Sequence, residues 1–503
     1  MFAPSRHHRR RRALTVAVAL ALLGALAPAA GAQSATVAAT ATATAPHAGL
    51  VGVPTTLQDN TQLYGYDVAT DGTGTGYIGW IADDSAAAAA TRRLHLCTLP
   101  VGATACAGGV QVIDALGVSS AAGLRVLATP AGAVSLVWFH DTSPGSVTGP
   151  RGGRLAVATS QSGGPLSAAT DVADAPSFGQ LLDAQIAPDG TIWTIAYKGV
   201  GTTEIEVRPG FAAAPQSLAV PYSVATTRLA FAGATAVIAV QQYGSISNPI
   251  FSAHGTAGAW SGFTPVANTW SGGSLGLAAA RSGVRLVASV ANASYHPAAA
   301  RFTGTGFASP RLIGDPNSCT PYSHDLVGDA SGRLADVSNE CGAITVVNMA
   351  HAATAAIVRF SAGGTVADGD PQIASTPRGR AWVAWSVQSS TGNKLRVARV
   401  LLPALRIAKR ASFAQGKVVV RGPVSCLPPV GVAVGVTRRP LHGWAVSSTS
   451  LRLDKRRFSS ATLDGSRLTP GSLHTLAGRV VFTRGGKAVT RTVTRTFRSC
   501  SNP

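Results

Sequence analysis

Residues 187–197 read APDGTIWTIAY, a tight turn followed at once by a strand. Pro188-Asp189-Gly190 is turn chemistry. Proline presets φ, aspartate bonds to nearby backbone and glycine supplies a positive φ. Ile192 to Tyr197 is β-branched and aromatic, the composition of a pleated, half-buried surface. The phrase recurs along the chain as TDGTGTGYIGW (70–80), TPAGAVSLVW (129–138), FAGATAVIAV (231–240), ARSGVRLVASV (280–290), DASGRLADVS (329–338) and TPRGRAWVAW (376–385). The seven turn glycines, Gly74, Gly132, Gly190, Gly233, Gly283, Gly332 and Gly379, stand 58, 58, 43, 50, 49 and 47 residues apart.

Apolar residues precede most of these turns, as in Gln185-Ile186-Ala187. Further strand-like runs follow, such as LHLC (94–97), RLAVAT (154–159), TEIEVR (203–208) and KLRVARVLL (394–402). A period near 50 residues with several short strands per unit is that of propeller blades. A parallel β-helix has a shorter period, and a helical solenoid needs sustained 3.6-residue periodicity that the chain lacks. Residues from about 50 to 404 resemble the seven-bladed β-propellers of secreted bacterial proteins. The carriers are PDGTIWTIAY and PRGRAWVAW, which look like the turn and inner strand pair of a blade. The resemblance is to an architecture and selects no single family. It implies a terminal strand completing the last blade, and residues 49–57 (GLVGVPTTL) are the candidate.

Composition changes near residue 405. The whole chain of 503 residues carries a net charge of +20. Residues 405–503 hold 18 Lys+Arg and two acids, Asp454 and Asp464, whereas residues 33–404 hold 19 Lys+Arg and 20 acids. The basic segment still reads as folded, with strand-like KVVVRG (417–422), GVAVGVTR (431–438), RVVFTR (479–484) and KAVTRTVTRTF (487–497). Gly485-Gly486 between the last two is a hairpin signal. PGSLHTLAGRVVF (470–482) resembles the late hairpin of bacterial immunoglobulin-like modules, interrupted here by Ser472 and Leu473. The expectation is therefore all-β: a seven-bladed propeller over 49–404, then a small immunoglobulin-like β-sandwich over 405–503.

Residues 1–32 read as a secretory signal. Arg6 and Arg9 to Arg12 are followed by an apolar run from Ala13 to Ala29 and the small-residue site Ala30-Gly31-Ala32. An Ala/Thr tract, 33–48, reads as a disordered leader. No later stretch is long and apolar enough to span a bilayer. Six cysteines suit an oxidising compartment, and the economical pairing is Cys97 with Cys106, Cys319 with Cys341 and Cys426 with Cys500. None has the Cys-x-x-Cys spacing of a metal site.

Each chemical motif meets a simpler structural reading. Gly272-Gly273-Ser274-Leu275-Gly276 matches a hydrolase elbow, but a β pattern follows where that elbow needs a helix. Ser323-His324-Asp325 holds the three triad residue types, but neighbours in a strand point to opposite faces. Paired acids for glycoside hydrolysis have candidates in Asp67, Asp71, Asp83, Asp84, Asp183, Asp189, Glu204, Glu206, Asp325, Asp368 and Asp370. Several of these sit in Gly-containing turns, where backbone bonding accounts for them. Asp368-Gly369-Asp370 is an incomplete calcium shell, so no cofactor is expected beyond a structural calcium there. Trp80, Trp138, Trp193, Trp382 and Trp385 fall on repeat strands and suit blade packing. Trp260 and Trp270 flank a polar Gly-rich stretch and are the candidate sugar platform.

The basic segment carries the strongest functional signal. Arg438, Arg439, Lys455, Arg456, Arg457, Arg491, Arg495 and Arg498 form its candidate anionic-surface set. The near-neutral repeat region in the same chain argues that the charge serves an anionic partner. No nucleic-acid-reading motif is present, so no specific nucleic-acid partner is expected. The sequence thus predicts a secreted, monomeric, non-catalytic binding or scaffold protein. A propeller face would take a ligand, and the basic module would associate with an anionic envelope polymer or acidic polysaccharide. The alternative is an extracellular carbohydrate-active hydrolase or lyase, which should gather several acids with His or Arg in one propeller mouth.

Overall fold

The computed structural model describes residues 50–499 apart from segments 84–91, 116–121, 142–152, 162–163, 176–180, 198–202, 243–248, 267–273, 281–282, 291–295, 314–322, 329–333, 341, 350–355, 367–369, 376–379, 391, 402–407, 423–425, 428–430, 465–467 and 470–471. The expected signal and leader fall outside these residues.

Seven antiparallel sheets make the repeat region a β-propeller. In blades 1 to 6 the strands pair in sequence order, innermost to outermost. The innermost strands are Leu63–Thr70, Ala122–Ala128, Leu181–Ile186, Val224–Ala232, Gly276–Ala280, His324–Gly328 and Gln372–Ser375. Each neighbours the next, and the seventh lies against the first, so the ring is closed. The second strand of each blade is the repeated apolar phrase, and both of its faces are covered. Gly76–Asp83 is buried at all but its last position, and Thr235–Gln242 at all but its ends.

The seventh blade is built from both ends of the repeat region. Gln372–Ser375, Arg380–Ser389 and Gly392–Leu401 supply three strands, and Leu50–Thr61 adds the outermost, antiparallel strand. It pairs from Leu50 opposite Val400 to Thr61 opposite Asn393. The expected closing strand is therefore in place, and it extends past residue 57. Its pairing ties the first repeat residues to the last, so the ring opens only if this strand is released.

Tryptophans lock blade to blade. Trp138 Nε1 donates to the Ala115 carbonyl at 2.9 Å, and Trp385 Nε1 donates to the Ala362 carbonyl at 3.1 Å. In both cases the acceptor directly follows the outer strand of the preceding blade. Trp80, Trp138 and Trp385 are fully buried. Each such side chain contributes about 2–3 kcal/mol by leaving water, and the bonded indole N–H groups of Trp138 and Trp385 avoid the penalty of a buried, unpaired donor.

Residues 408–499 form two larger sheets and a two-stranded one around a separate core. One has three strands, Ala408–Phe413, Gly416–Arg421 and Gly435–Pro440. The other has five, in the order Cys426–Leu427, Lys487–Ser499, Leu473–Arg484, Ala445–Leu453 and Arg456–Phe458. Val418 and Val420 of the first meet Leu451, Leu476, Val480, Phe482, Val493 and Phe497 of the second. The Gly485-Gly486 hairpin is present, both glycines at positive φ, joining the two longest strands of the module.

Cys97 and Cys106 are disulfide-bonded, as the pairing predicts. Cys319, Cys341 and Cys500 lie outside the described residues. Of Cys426 only the backbone is described, and it pairs in parallel with Arg498.

Candidate functional site

The propeller's innermost strands share a register, and one position in that register faces the central channel. Read round the ring it is Asp67, Arg125, Asp183, Arg228, Gly276, Asp325 and Gln372. All but Gly276 line a channel of about 470 Å³. The structure thus gathers Asp67, Asp183 and Asp325 from the sequence candidates and adds two arginines that the sequence reading missed. The signal was available: Asp67, Arg125, Asp183, Gly276, Asp325 and Gln372 each stand seven residues before their turn glycine, and Arg228 stands five before Gly233.

The same geometry says what the carboxylates do. Asp67 Oδ2 accepts the Val126 N–H at 2.7 Å, Asp183 Oδ2 the Leu229 N–H at 2.7 Å, and Asp325 Oδ2 the Ile373 N–H at 2.8 Å. Each donor lies on the inner strand of the next blade. Each therefore satisfies a strand edge that the ring would otherwise bury unpaired. Arg125 Nε adds a 2.9 Å bond to Asp183 Oδ1. Burial pushes the Asp67 carboxyl up to about 7, against the opposing charge of Arg125 and the Val126 bond. Burial also raises Asp325.

The other acids are dispersed. Asp71 Oδ1 accepts N–H bonds from Thr73, Gly74 and Thr75, and Asp189 Oδ1 accepts those of the Thr191 backbone and hydroxyl. Both are turn-making residues, as their Gly-containing context predicts. Glu204 and Glu206 lie half-buried on the third strand of blade 3, away from the channel strand. Asp84 and Asp368 are outside the described residues. Among the described residues no cluster of three His, Cys, Asp or Glu is placed to hold a metal ion.

A Ser-His-Asp relay does exist, but not between sequence neighbours. His324 Nε2 meets Ser289 Oγ at 3.0 Å, and His324 Nδ1 meets Asp336 Oδ2 at 3.0 Å. All three residues are at most 2% exposed. A hydrolytic serine must reach substrate, whereas this relay is closed off from solvent and joins blades 5 and 6. Ser274, the serine of the elbow-like motif, accepts the His324 backbone N–H at 2.9 Å and is likewise buried. A second constellation lies in the C-terminal module, where His474 bridges Ser472 at 2.5 Å and Asp454 at 2.6 Å. The Ser472 hydroxyl donates to the Thr469 carbonyl, which withdraws its hydrogen from the imidazole. A serine so engaged is a turn residue, not an activated nucleophile.

Trp260 lies against blade 3. Its Nε1 donates to Gln216 Oε1 at 2.7 Å, and its ring meets Trp193 edge-on at 6.4 Å. It is partly buried in that packing. Trp270 is outside the described residues.

The predicted cationic set divides. Arg438, Arg439, Lys455, Arg456 and Arg457 are exposed. The strand Lys487–Ser499 alternates, with Val489, Arg491, Val493, Arg495 and Phe497 on the inner face and Thr490, Thr492, Thr494 and Thr496 outside. Arg495 is thus only 7% exposed, and burial lowers its affinity for a proton. Arg491 is half-buried, with Nε bonded to Gln415 Oε1 and its guanidinium near the Phe413 ring. These two arginines depart from the expected surface set because period-2 alternation turns them inward. The Arg498 side chain is outside the described residues. Arg410, Lys417, Arg421, Arg452 and Arg479, which the sequence reading did not single out, join Arg439 and Arg457 on the outward faces. On the three-stranded sheet Arg410, Lys417, Arg421 and Arg439 face out, with Lys417 directly opposite Arg439. On the five-stranded sheet Arg452, Arg457 and Arg479 face out, with Arg452 directly opposite Arg457.

No family profile matches the sequence, and no curated protein matches it. Solved structures show distant likeness. One is the β-propeller domain of the trilobed protease from Pyrococcus furiosus, at 11% identity over 69% of this chain and 97% of that one, TM-score 0.42. Another is an ulvan lyase described as a new family of polysaccharide lyase, at 12% identity over 71% and 97%, TM-score 0.42. A third is the Kuenenia stuttgartiensis hydrazine synthase, at 14% identity over 69% and 97%, TM-score 0.44. Likeness at this level carries no argument about this chain's chemistry, and the propeller assignment stands on the seven sheets and their closure.

Proposed function

We propose that this is an exported, non-catalytic binding protein whose C-terminal module associates with an anionic envelope or extracellular polymer. One observation carries the reading. Like charges stand directly opposite each other on both outward sheet faces, Lys417 with Arg439 and Arg452 with Arg457, and none of the four has an acidic partner among the described residues. Such cross-strand pairs weaken a sheet. A bound polyanion turns the same arrangement from a liability into an affinity. The propeller supplies a rigid ring, its channel acids committed to holding blades together.

The test is binding of the full chain to purified cell envelopes, to polygalacturonate and to dextran sulfate over a salt series. Binding that falls steeply as salt rises supports the reading, since screening and counterion release remove it. Salt-insensitive binding, or none, overturns it. A carbohydrate-active hydrolase or lyase is the second reading, favoured by the Asp67 carboxyl at about 7 beside the channel. Polymer shortening that is lost in Asp67→Asn would select it.

A further inference from the structure

The outward face of the five-stranded sheet differs from an ordinary charged surface. Its four long or paired strands present, row by row, Thr494, Ala477, Arg452 and Arg457, then Thr492, Arg479 and Ser450, then Thr490, Val481 and Ser448. Thr490, Thr492, Thr494 and Thr496 are all exposed. At about 3.4 Å per residue they make a straight hydroxyl row roughly 20 Å long. Arg452 and Arg457 are direct neighbours, and Arg479 sits diagonally from Arg452, about 7–8 Å away.

We infer that this face binds an anionic polysaccharide, the three arginines taking its carboxylate or sulfate groups and the threonine row its hydroxyls. The inference rests on the proposed polymer-binding role and adds the face and the ligand class. Guanidinium groups hold planar or tetrahedral oxyanions through paired N–H donors. Neutral hydroxyls, each both donor and acceptor, match a chain whose backbone is itself hydroxyl-rich. Charge complementarity is one-sided, because no carboxylate stands in these rows. A single-stranded nucleic acid would be met by stacking aromatics, and the rows contain none. A membrane would be met by large apolar side chains, and among the described residues of 408–499 only Leu473 is an exposed large hydrophobic, at the end of one strand.

The experiment compares the full chain with two variants of equal charge loss. R452Q/R457Q/R479Q strips this face, and R410Q/K417Q/R439Q strips the three-stranded sheet. A third variant, T492V/T494V, removes two hydroxyls and no charge. Probes are dextran sulfate, polygalacturonate, neutral dextran, single-stranded DNA and phosphatidylglycerol vesicles, with the melting temperature measured for each variant. Expected is a loss of about tenfold or more in polysaccharide affinity for the first variant, about twofold to threefold for the second, and a reduced affinity with unchanged salt slope for the third. Equal losses in the first two variants overturn the inference, since charge alone then explains binding. So does intact binding in the first variant, or tighter binding of DNA or vesicles than of either acidic polysaccharide. If the unaltered chain binds no polymer, the proposed function fails before the face is tested.

Discussion

Arg125 Nε donates to Asp183 Oδ1 at 2.9 Å, joining the innermost strands of blades 2 and 3. Asp183 also takes the Leu229 N–H of blade 4 at 2.7 Å, so one carboxylate spans three blades. It is 1% exposed. Asp183→Ala removes the Nε partner of the part-buried Arg125 guanidinium and leaves the Leu229 N–H unpaired, which costs about 3 kcal/mol. Asp183→Asn keeps an acceptor for Leu229 and should cost less than half as much. Urea unfolding of the two variants checks the order. Equal midpoints for Asp183→Ala and the unaltered chain would show that the ring does not depend on this group.

Asp67 makes the propeller's stability depend on pH. Its folded value of about 7 lies above the ordinary carboxyl value of 3.8, chiefly through burial. The folded state therefore holds the proton more tightly. Stability from this group is full below about pH 4 and falls as pH rises to about 7, by on the order of 4 kcal/mol across the window. Asp67→Asn keeps an acceptor for the Val126 N–H and cannot ionise. It should flatten the unfolding midpoint between pH 4 and 7 and raise it at pH 8. A variant with the same slope as the unaltered chain would assign the dependence elsewhere.

Gly276 holds the fifth place in the ring of channel residues for want of space. A Cβ there would stand 2.7 Å from Leu326 Cβ and 3.0 Å from the Leu326 backbone nitrogen. Neither atom belongs to the flexible end of a side chain, so blades 5 and 6 would have to part. Gly276→Ala should cost about 1–3 kcal/mol by overpacking. Thermal unfolding reads the loss, and Gly262→Ala, where nothing lies within 4 Å of the added carbon, is the control.

What the sequence made legible and what it hid divide along a physical line. Local signals survived translation into structure: the Asp71-Gly72 and Asp189-Gly190 turns, the apolar strand after each, residues 49–57 as part of the closing strand, the Gly485-Gly486 hairpin and the Cys97–Cys106 bond. Each depends on residues close in sequence or on a repeat that announces itself. The channel ring was hidden because its members come from seven strands, and only closure brings Asp67 beside Arg125. The buried relay was hidden because His324 looked to its sequence neighbours, while its partners Ser289 and Asp336 lie 35 and 12 residues away. Arg491 and Arg495 were counted as surface charge, although the alternation that turns them inward is readable in TRTVTRTF. A composition count weighs every cation alike, and a strand does not.

The Cys97–Cys106 bond closes a loop of about ten residues next to the third strand of blade 1. Closing so short a loop restricts the unfolded chain by roughly 2–3 kcal/mol. Reduction, or Cys97→Ala with Cys106→Ala, should lower the melting temperature without releasing the ring. Leu50–Thr61 takes its strand pairing from Gly392–Leu401 and touches the loop chiefly through the Thr55 hydroxyl, 3.4 Å from the Thr104 carbonyl. Hydrogen exchange checks both parts. Amides of residues 97–109 should lose protection, while those of Leu395 to Val400 keep theirs. Loss of protection in both regions would mean that the loop helps to hold the closing strand.

The buried relay supplies the second pH effect, in a different window. Burial lowers the affinity of His324 for a proton, but the charge and hydrogen bond of Asp336 outweigh it, and the imidazole is raised above 6.5. Burial raises the Asp336 carboxyl as well. Both shifts have one sign, so the folded pair keeps its protons more tightly than the unfolded chain. For His324 that stability is fully present below about pH 6.5 and is lost as pH rises through the raised value. Asp336→Asn removes the cause of the raised value, leaving burial to lower it. The variant should be less stable than the unaltered chain at pH 6, and the gap should narrow by pH 9. His324→Leu leaves Asp336 buried without its partner and should cost about 3–5 kcal/mol at neutral pH. Ser289→Ala, which removes only the far end of the relay, should cost about 1–2 kcal/mol. Unfolding midpoints across pH 5 to 9 decide it. A gap for Asp336→Asn that widens toward pH 9 would reverse the sign of the coupling and break the account.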